Sequence, residues 1–492
     1  MPDSALMLRG LIAAVEDVLG TDIGYASDQE AIVATLRMLE AREVHGARHL
    51  EAALARLRVQ LRDVAKDIQK DAPDLAEELG RLAAQTDMPA PGNARERDAA
   101  ERRIFGTWAE LAGRIAADAR LARAWRRDLV ASTVIAERER ALERMGGRLA
   151  PRPEENNTIT PERLRDYLRA RFADPGIEVT ACKALPGGYG KETTLFEVSG
   201  SALSGAFVMR RDRLIPTMDN DCHRIEHEFP VIRAAHERGF PAPEALWLDT
   251  EHELLPGGNF IVMRRAPGTA GGNVFGAAGV VSKEMTELLA TSMARLHSLP
   301  PLTELGKLTD GIAPELWELS PKEATKRYIA SIRDMYVAEM VMPSPAALAI
   351  YGWLLDNVPD SPGRAVLLHG DIGFHNFIVD EGRLTAVVDW EFAHVGDPAE
   401  DVGYVRNTSG SSLDWPTFIA AYRAAGGPEI DEQRLRYFQL WGQLRNMTAS
   451  QLTSNGFDLG RYDNLKLAHV GHSMMPDYLD AIERVLVAER AG

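Results

Sequence analysis

The sequence predicts an α+β protein: an α-helical region over 1–150, a linker over 151–159, a small β-rich lobe over 160–265 and a mainly helical lobe over 266–492. Three observations carry this expectation. The first 150 residues are rich in Ala, Leu, Arg and Glu and poor in strand signals. Short β-prone runs punctuated by Gly and Pro cluster between 177 and 266. Helical texture returns after 281 and is broken by one dense polar and apolar stretch at 367–398, LLHGDIGFHNFIVDEGRLTAVVDWEFAHVGDP.

In the first region, Leu50, Leu54, Leu57, Leu61, Val64 and Ile68 alternate at spacings of four and three, which lays them on one helical stripe. Ile104, Trp108, Leu111 and Ile115 repeat the pattern beyond the breaker-rich DMPAPGN at 87–93. The heptads do not persist, so an intramolecular bundle is expected, with a homodimer through these helices as the alternative. The charged run from ARERDAAERR to AERERALERMGGR mixes acids and bases at helical spacing, as a solvated face does.

The linker APRPEENNT at 150–158 replaces that periodicity with proline and polar residues. Thr160 followed by Pro161 reads as an N-cap and first-turn proline for a helix through ERLRDYLRARF, ending near Asp174, Pro175 and Gly176. IEVTACKAL, TTLFEVS and AFVMRRD then read as strands, the first two separated by PGGYGKE. Residues 220–239 have helical character that Pro230 is expected to kink or split. EALWLDT and FIVMRRA flank the turn LPGGN as a hairpin.

Composition sets limits on function. With 72 acidic against 56 basic residues the formal charge is −16, which repels a polyphosphate backbone and excludes nucleic acid as a first partner. Cys182 and Cys222 form no CxxC, so neither a disulfide framework nor a thiolate zinc site is expected, and a reducing cytoplasm fits. Arg9, Glu16 and Asp17 interrupt the apolar N-terminal stretch, and no run of about 18 apolar residues suggests a membrane segment.

The chemistry concentrates in HGDIGFHN and VVDWE. Asp371 and Asn376 lie five residues apart on one loop, and Asp389 follows a second apolar run. A carboxylate there can accept the proton of an attacking hydroxyl, while an amide oxygen and a second carboxylate hold magnesium against nucleotide phosphates. Any one aspartate alone reads more simply as a loop cap; the combination is what points to phosphoryl transfer. The remaining parts stand upstream in order. LPGGYGKETTLFEV offers Gly187, Gly188 and Gly190, whose backbone can approach phosphates that side chains would block. Arg210 ends the third strand and Glu228 lies on the following helix, a basic and acidic pair suited to positioning phosphates. FIVMRRAPG, with Met263, leads towards a hinge whose backbone would receive adenine.

With these motifs in place, residues 160 to about 480 resemble the aminoglycoside phosphotransferase and choline kinase-like family, small-molecule kinases with a bilobal, protein-kinase-like fold. HGDIGFHN, VVDWE and GDPAEDVGY carry the resemblance. It implies ATP and Mg²⁺ as cofactors and a small-molecule hydroxyl as acceptor. It makes Asp371 the catalytic base, Asn376 and Asp389 metal ligands, and Glu391, Asp397 and Asp401 supports of the site. His369 either braces the loop or moves a proton. Gly190 and Lys191 stand where a Ser-Asn pair is usual, so the phosphate contacts are expected to differ here. The stretch from Arg224 to Thr269 is similar to a branch related to the kinase domain of acyl-CoA dehydrogenase family members, which implies a hydroxyacyl-CoA acceptor. Arg211, Arg213, Arg264 and Arg265 are then candidates for CoA phosphates, or else solvated strand-end arginines. The acidic balance instead favours a cationic acceptor such as an aminoglycoside.

Two rivals belong to other classes. A metallohydrolase built on His369, Asp371, His375 and Asp389 leaves the Gly-rich hairpin unexplained, and His375 reads better as a packed loop residue. A catalytically inactive scaffold conflicts with the presence of every residue that catalysis needs.

Overall fold

Four amphipathic helices open the described chain: α1 (Gly46–Ile68), α2 (Pro73–Gln85), α3 (Ala94–Ala117) and α4 (Arg123–Arg144). The computed structural model describes residue 42 and residues 45–144, 159–185, 190–213, 224–255, 257–272, 281–458, 470–472 and 474–490. Both predicted stripes, six residues on α1 and four on α3, are buried. DMPAPGN separates α2 from α3, and Asn93 within it caps α3 by accepting the amide of Glu96 at 2.9 Å.

The β-rich lobe begins with α5 (Pro161–Phe172), capped by the Thr160 hydroxyl. Strands β1 (Glu178–Ala184), β2 (Lys191–Ser199) and β3 (Gly205–Asp212) follow, then α6 (Ile225–Glu237), β4 (Ala245–Asp249) and β5 (Phe260–Arg264). The five strands form one antiparallel sheet in the order β1-β2-β3-β5-β4. One face carries Phe196, Val198, Phe207, Met209, Phe260 and Val262 against Leu164, Tyr167 and Leu168 of α5. The other face puts Ile261 and Met263 into a core shared with α6 and the helical lobe. Contrary to the expected break, α6 runs unbroken through Pro230. A proline in the second turn removes one hydrogen bond, and the buried face of Ile225, Val231, Ile232, Ala234 and Ala235 offsets that loss.

Beyond the sheet, β6 (Thr269–Ala270) pairs with β8 (Phe377–Asp380), which pairs with β9 (Arg383–Val387). Gly268 makes this connection possible. Its φ is +102° and a Cβ there would strike the Val379 carbonyl. Helices α7 (Lys283–His297), α8 (Pro321–Glu339) and α9 (Pro345–Asp356) precede β7 (Val366–Leu368), which pairs with β10 (His394–Gly396). The chain closes with α10 (Ala399–Ser409), α11 (Trp415–Ala424), α12 (Glu432–Asp458) and α13 (Met475–Arg490). Among the described residues no helix is long and apolar enough to cross a membrane.

The chain divides into two compact units. One gathers the described residues of 1–153, 332–357 and 443–492; the other holds 154–331 and 358–442. Two segments expected in the helical lobe therefore belong with the N-terminal helices. The physical reason is α9, in which every residue from Pro345 to Leu354 is buried. A helix apolar on all sides must be covered on all sides. Its contacts with α3 are so close that a Cβ on Gly352 would overlap the Gly113 carbonyl. Glu137 of α4 accepts the Ala346 amide at 2.7 Å, which satisfies a free N–H in the first turn of α9. At its other end Arg126 pairs with Asp356 at 2.5 Å. Arg138 of α4 ties down α13 through Asp480, at 3.2 Å, and through Glu483.

Candidate active site

Strand β7 is short, wholly apolar and buried, so the residues leaving it start from a fixed point. His369 comes first and is fully buried. Its Nδ1 accepts the Asp371 amide at 3.3 Å, so Nε2 carries the proton and donates to the Val388 carbonyl at 3.1 Å. Burial holds its pKa below the ordinary histidine value. With both ring nitrogens spent on backbone groups, His369 braces the loop.

Asp371 receives three donors. Its Oδ1 accepts from His375 Nε2 at 3.2 Å and from the Tyr404 hydroxyl, and its Oδ2 accepts from Asn376 Nδ2 at 3.0 Å. Burial alone would push this carboxyl up, but the His375 imidazole and the Tyr404 hydroxyl hold it below the usual aspartate value. The group is a carboxylate at neutral pH. Asn376 sits at the end of a 3-10 turn, Phe374–Asn376, and its amide nitrogen also donates to the Asp371 carbonyl at 2.9 Å.

The loop is held from α10. Asp401 is fully buried, and its carboxylate accepts the amides of His369 at 3.0 Å and Gly370 at 2.9 Å. It also accepts His297 Nε2 at 3.1 Å, and the other ring nitrogen of His297 meets the Tyr422 hydroxyl at 2.7 Å. Burial raises the Asp401 pKa, but His297 and the backbone donors bring it below the ordinary value. Asp397 has a different task. It accepts the Ala399 amide at 2.9 Å and forms a buried pair with Arg434 at 2.5 Å, which fixes the start of α10.

On the β-lobe side, Arg210 reaches three carboxylates. Its Nε pairs with Glu228 at 3.1 Å, and one terminal nitrogen meets Asp389 and, at 3.3 Å, Glu391. Burial opposes the charge of Arg210, and Asp389, Glu228 and Glu391 together restore it. Burial pushes both Glu228 and Glu391 upward. Glu228 also accepts the Trp390 amide at 3.2 Å, so α6 and the VVDWE strand end are linked directly. Lys191 is buried and pairs with Asp212 at 2.7 Å. Gly190 lies against Glu391, whose Oε2 would be 2.9 Å from a Cβ. Gly187 and Gly188 lie outside the described residues.

The structure thus gathers Gly190, Arg210, Glu228, Asp389 and Glu391 in one cluster and Asp371, Asn376 and His369 in an adjoining one. Met263 lies on the strand expected to lead towards the hinge. It sits within β5 opposite Val208 of β3 and Ala245 of β4, with its side chain in the core. The chain leaves the sheet only after Arg265 donates to the Ala206 carbonyl at 3.0 Å. Three of the arginines considered for CoA have partners elsewhere: Arg211 and Arg213 pair with Glu192, and Arg264 pairs with Glu244 at 2.8 Å.

Magnesium fits the donors present. It takes one or two protein oxygens and fills the remainder with phosphate and water. With its nitrogen committed to Asp371, the Asn376 side chain has only its hard amide oxygen left to offer, and Asp389 supplies a carboxylate. Asp389 holds a left-handed conformation, φ +69°, rare for a residue with a Cβ. Such strain is kept where the surrounding structure enforces it, as at functional sites. Among the described residues no group of three His, Cys, Asp or Glu is arranged as a metal cage, so His369, Asp371, His375 and Asp389 do not converge as a hydrolase centre would require.

Sequence reasoning missed the second donor to Asp371 Oδ1, Tyr404, and the His297, Tyr422 and Arg434 partners of the supporting aspartates. Only Tyr404 carried a signal, since it lies three residues after Asp401 and so shares its helix face.

Residues 181–438 match a family described as the phosphotransferase enzyme family. A chicken protein named acyl-CoA dehydrogenase family member 11 is 26% identical over 272 residues, covering 51% of this chain and 32% of that protein. Its rat counterpart is 30% identical over 210 residues, covering 41% and 25%. The chain therefore spans about a third or less of the length of these curated relatives. A solved Ralstonia eutropha structure described as an aminoglycoside phosphotransferase aligns over 67% of this chain and 99% of its own, at 17% identity and a TM-score of 0.48.

Proposed function

The chain belongs to the phosphotransferase enzyme family, and from that premise we propose that it transfers the γ-phosphoryl group of ATP to a hydroxyl of a small molecule. The observation that carries the proposal is Asp371, an ionised and immobilised carboxylate five residues before Asn376 and adjoining the cluster around Arg210 and Asp389. The acceptor oxygen attacks the γ-phosphorus, its proton passes to Asp371, and the bond to the β-phosphate oxygen breaks to release ADP. Magnesium held by Asn376 and Asp389 would neutralise phosphate charge. Arg210, positioned by Glu228, supplies positive charge from the β-lobe. His369 and Asp401 keep Asp371 in place, so the protein contributes mainly alignment and electrostatics.

A hydroxyacyl-CoA thioester is the acceptor we propose. The support is the alignment with relatives named for acyl-CoA dehydrogenases. Because Arg211, Arg213 and Arg264 are paired with glutamates, the CoA phosphates would have to be met by other groups.

The test is ADP release from Mg-ATP over hydroxyacyl-CoA thioesters, free hydroxy acids, aminoglycosides, choline and sugars, with Asp371→Asn alongside. We expect release that depends on the thioester and falls at least ~100-fold in Asp371→Asn, the range for a lost catalytic base. Release with another class would replace the acceptor; nucleotide binding without release to any acceptor would reduce the protein to a binding module.

A further inference from the structure

Asp401 and Tyr404 are three residues apart on α10 and face the same way. Asp401 grips the loop backbone at His369 and Gly370, while Tyr404 reaches the carboxylate of Asp371. One turn of helix therefore fixes both the path of the loop and the orientation of its reactive group. Tyr404 is itself only 4% exposed, so its hydroxyl has little freedom to leave.

An ionised carboxylate offers about four lone-pair positions, two on each oxygen. Among the described residues, Oδ1 of Asp371 takes two donors, Tyr404 and His375, and Oδ2 takes one, Asn376. Oδ1 is full and Oδ2 has one position left, next to Asn376. The Asp371 side chain as a whole keeps 18% exposure.

We propose that Tyr404, with His375, is a positioning residue that selects which hydroxyl reacts. By filling Oδ1 the two donors oblige the acceptor hydroxyl to place its proton on Oδ2, the side of Asn376. An acceptor with several hydroxyls then presents a single one in line for transfer. This rests on the phosphotransferase reading above and adds to it a reason for regioselectivity. Removing the phenol oxygen opens a second docking position on Oδ1, while His375 and Asn376 each still hold one oxygen of the carboxylate.

The test compares the intact chain with Tyr404→Phe and His375→Leu, using γ-labelled ATP, Mg²⁺ and, in separate reactions, 3-hydroxybutyryl-CoA, hygromycin B, choline and glucose. Thermal unfolding and ADP binding report on folding. For Tyr404→Phe we expect kcat to fall ~10–100-fold, in the range that small misplacements cost. We also expect an altered KM for the acceptor, ADP affinity within about twofold, as for removal of an interaction outside the nucleotide cluster, and a mixture of phosphorylated positions on a polyhydroxylated acceptor. A merely structural role would lower stability without changing product positions. An active wild type with unchanged kcat, KM and product positions in a folded Tyr404→Phe overturns the proposal and leaves the kinase reading intact. Should Tyr404→Phe fail to fold, the same comparison on His375→Leu, which has no side-chain donor and so unloads the same oxygen, decides it. A wild type that transfers phosphate to no acceptor overturns both readings.

Discussion

Replacing Asp401 with asparagine changes almost nothing in shape and removes the charge on which the loop rests. The carboxylate accepts two backbone amides and His297 while fully buried. An asparagine has one acceptor oxygen, and its NH₂ must face at least one N–H group. That orphaned donor costs about 1–3 kcal/mol, and bonds that were charge-assisted become neutral at about 1 kcal/mol each. The expected destabilisation is about 3–5 kcal/mol by urea unfolding, with turnover lowered ~100-fold because Asp371 is displaced. The pH dependence fixes the sign. A carboxyl whose folded pKa lies below its unfolded value contributes stability above the unfolded value, near 3.8, and loses it as pH falls through the folded pKa. The intact protein should therefore lose stability more steeply than Asp401→Asn below about pH 4. A variant within about 1 kcal/mol of the parent, with unchanged acid sensitivity and turnover, would refute the reasoning.

Arg210→Ala leaves Glu228, Asp389 and Glu391 without their common cation and should destabilise by about 3–5 kcal/mol, as breaking a buried pair does. Arg210→Lys restores charge but not the fork that spans three carboxylates, so calorimetry should find ADP binding between those of the parent and Arg210→Ala. Gly352→Ala forces α9 away from the Gly113 carbonyl; thermal unfolding should register a loss of about 1–3 kcal/mol, and an unchanged melting temperature would show that the helices can separate freely.

Much of the site was legible because it depends on short spacings. Asp371 to Asn376 is one loop, and Arg210 and Glu228 occupy a strand end and the next helix, so local reading places them. What was not legible depends on how separate elements meet. Nothing in HGDIGFHN says that His375 curls back onto Asp371, because that follows from the 3-10 turn at Phe374–Asn376. The pairing of Lys191 with Asp212 follows from the register of β2 on β3, in which the two residues face each other. The helical stripes of α1 and α3 showed one apolar face each, as amphipathic helices do. The uniformly apolar α9 carried no direction at all, so its membership of the N-terminal unit appears only once its neighbours are known. Pro230 misled because a proline near a helix start is tolerated when the buried face is strong.

The division of the chain bears on its synthesis. The boundaries between units fall at 153/154, 331/332, 357/358 and 442/443, so the helices made first have partners made last. Arg138 is separated from Asp480 by 342 residues. At a translation rate of about 5–20 residues per second, α4 emerges roughly 20–70 s before α13 can cover it. For the first part of that interval, until α9 is made, the apolar faces of α3 and α4 lack the partner that covers them in the finished chain. The N-terminal helices thus complete their unit only when segments made much later arrive.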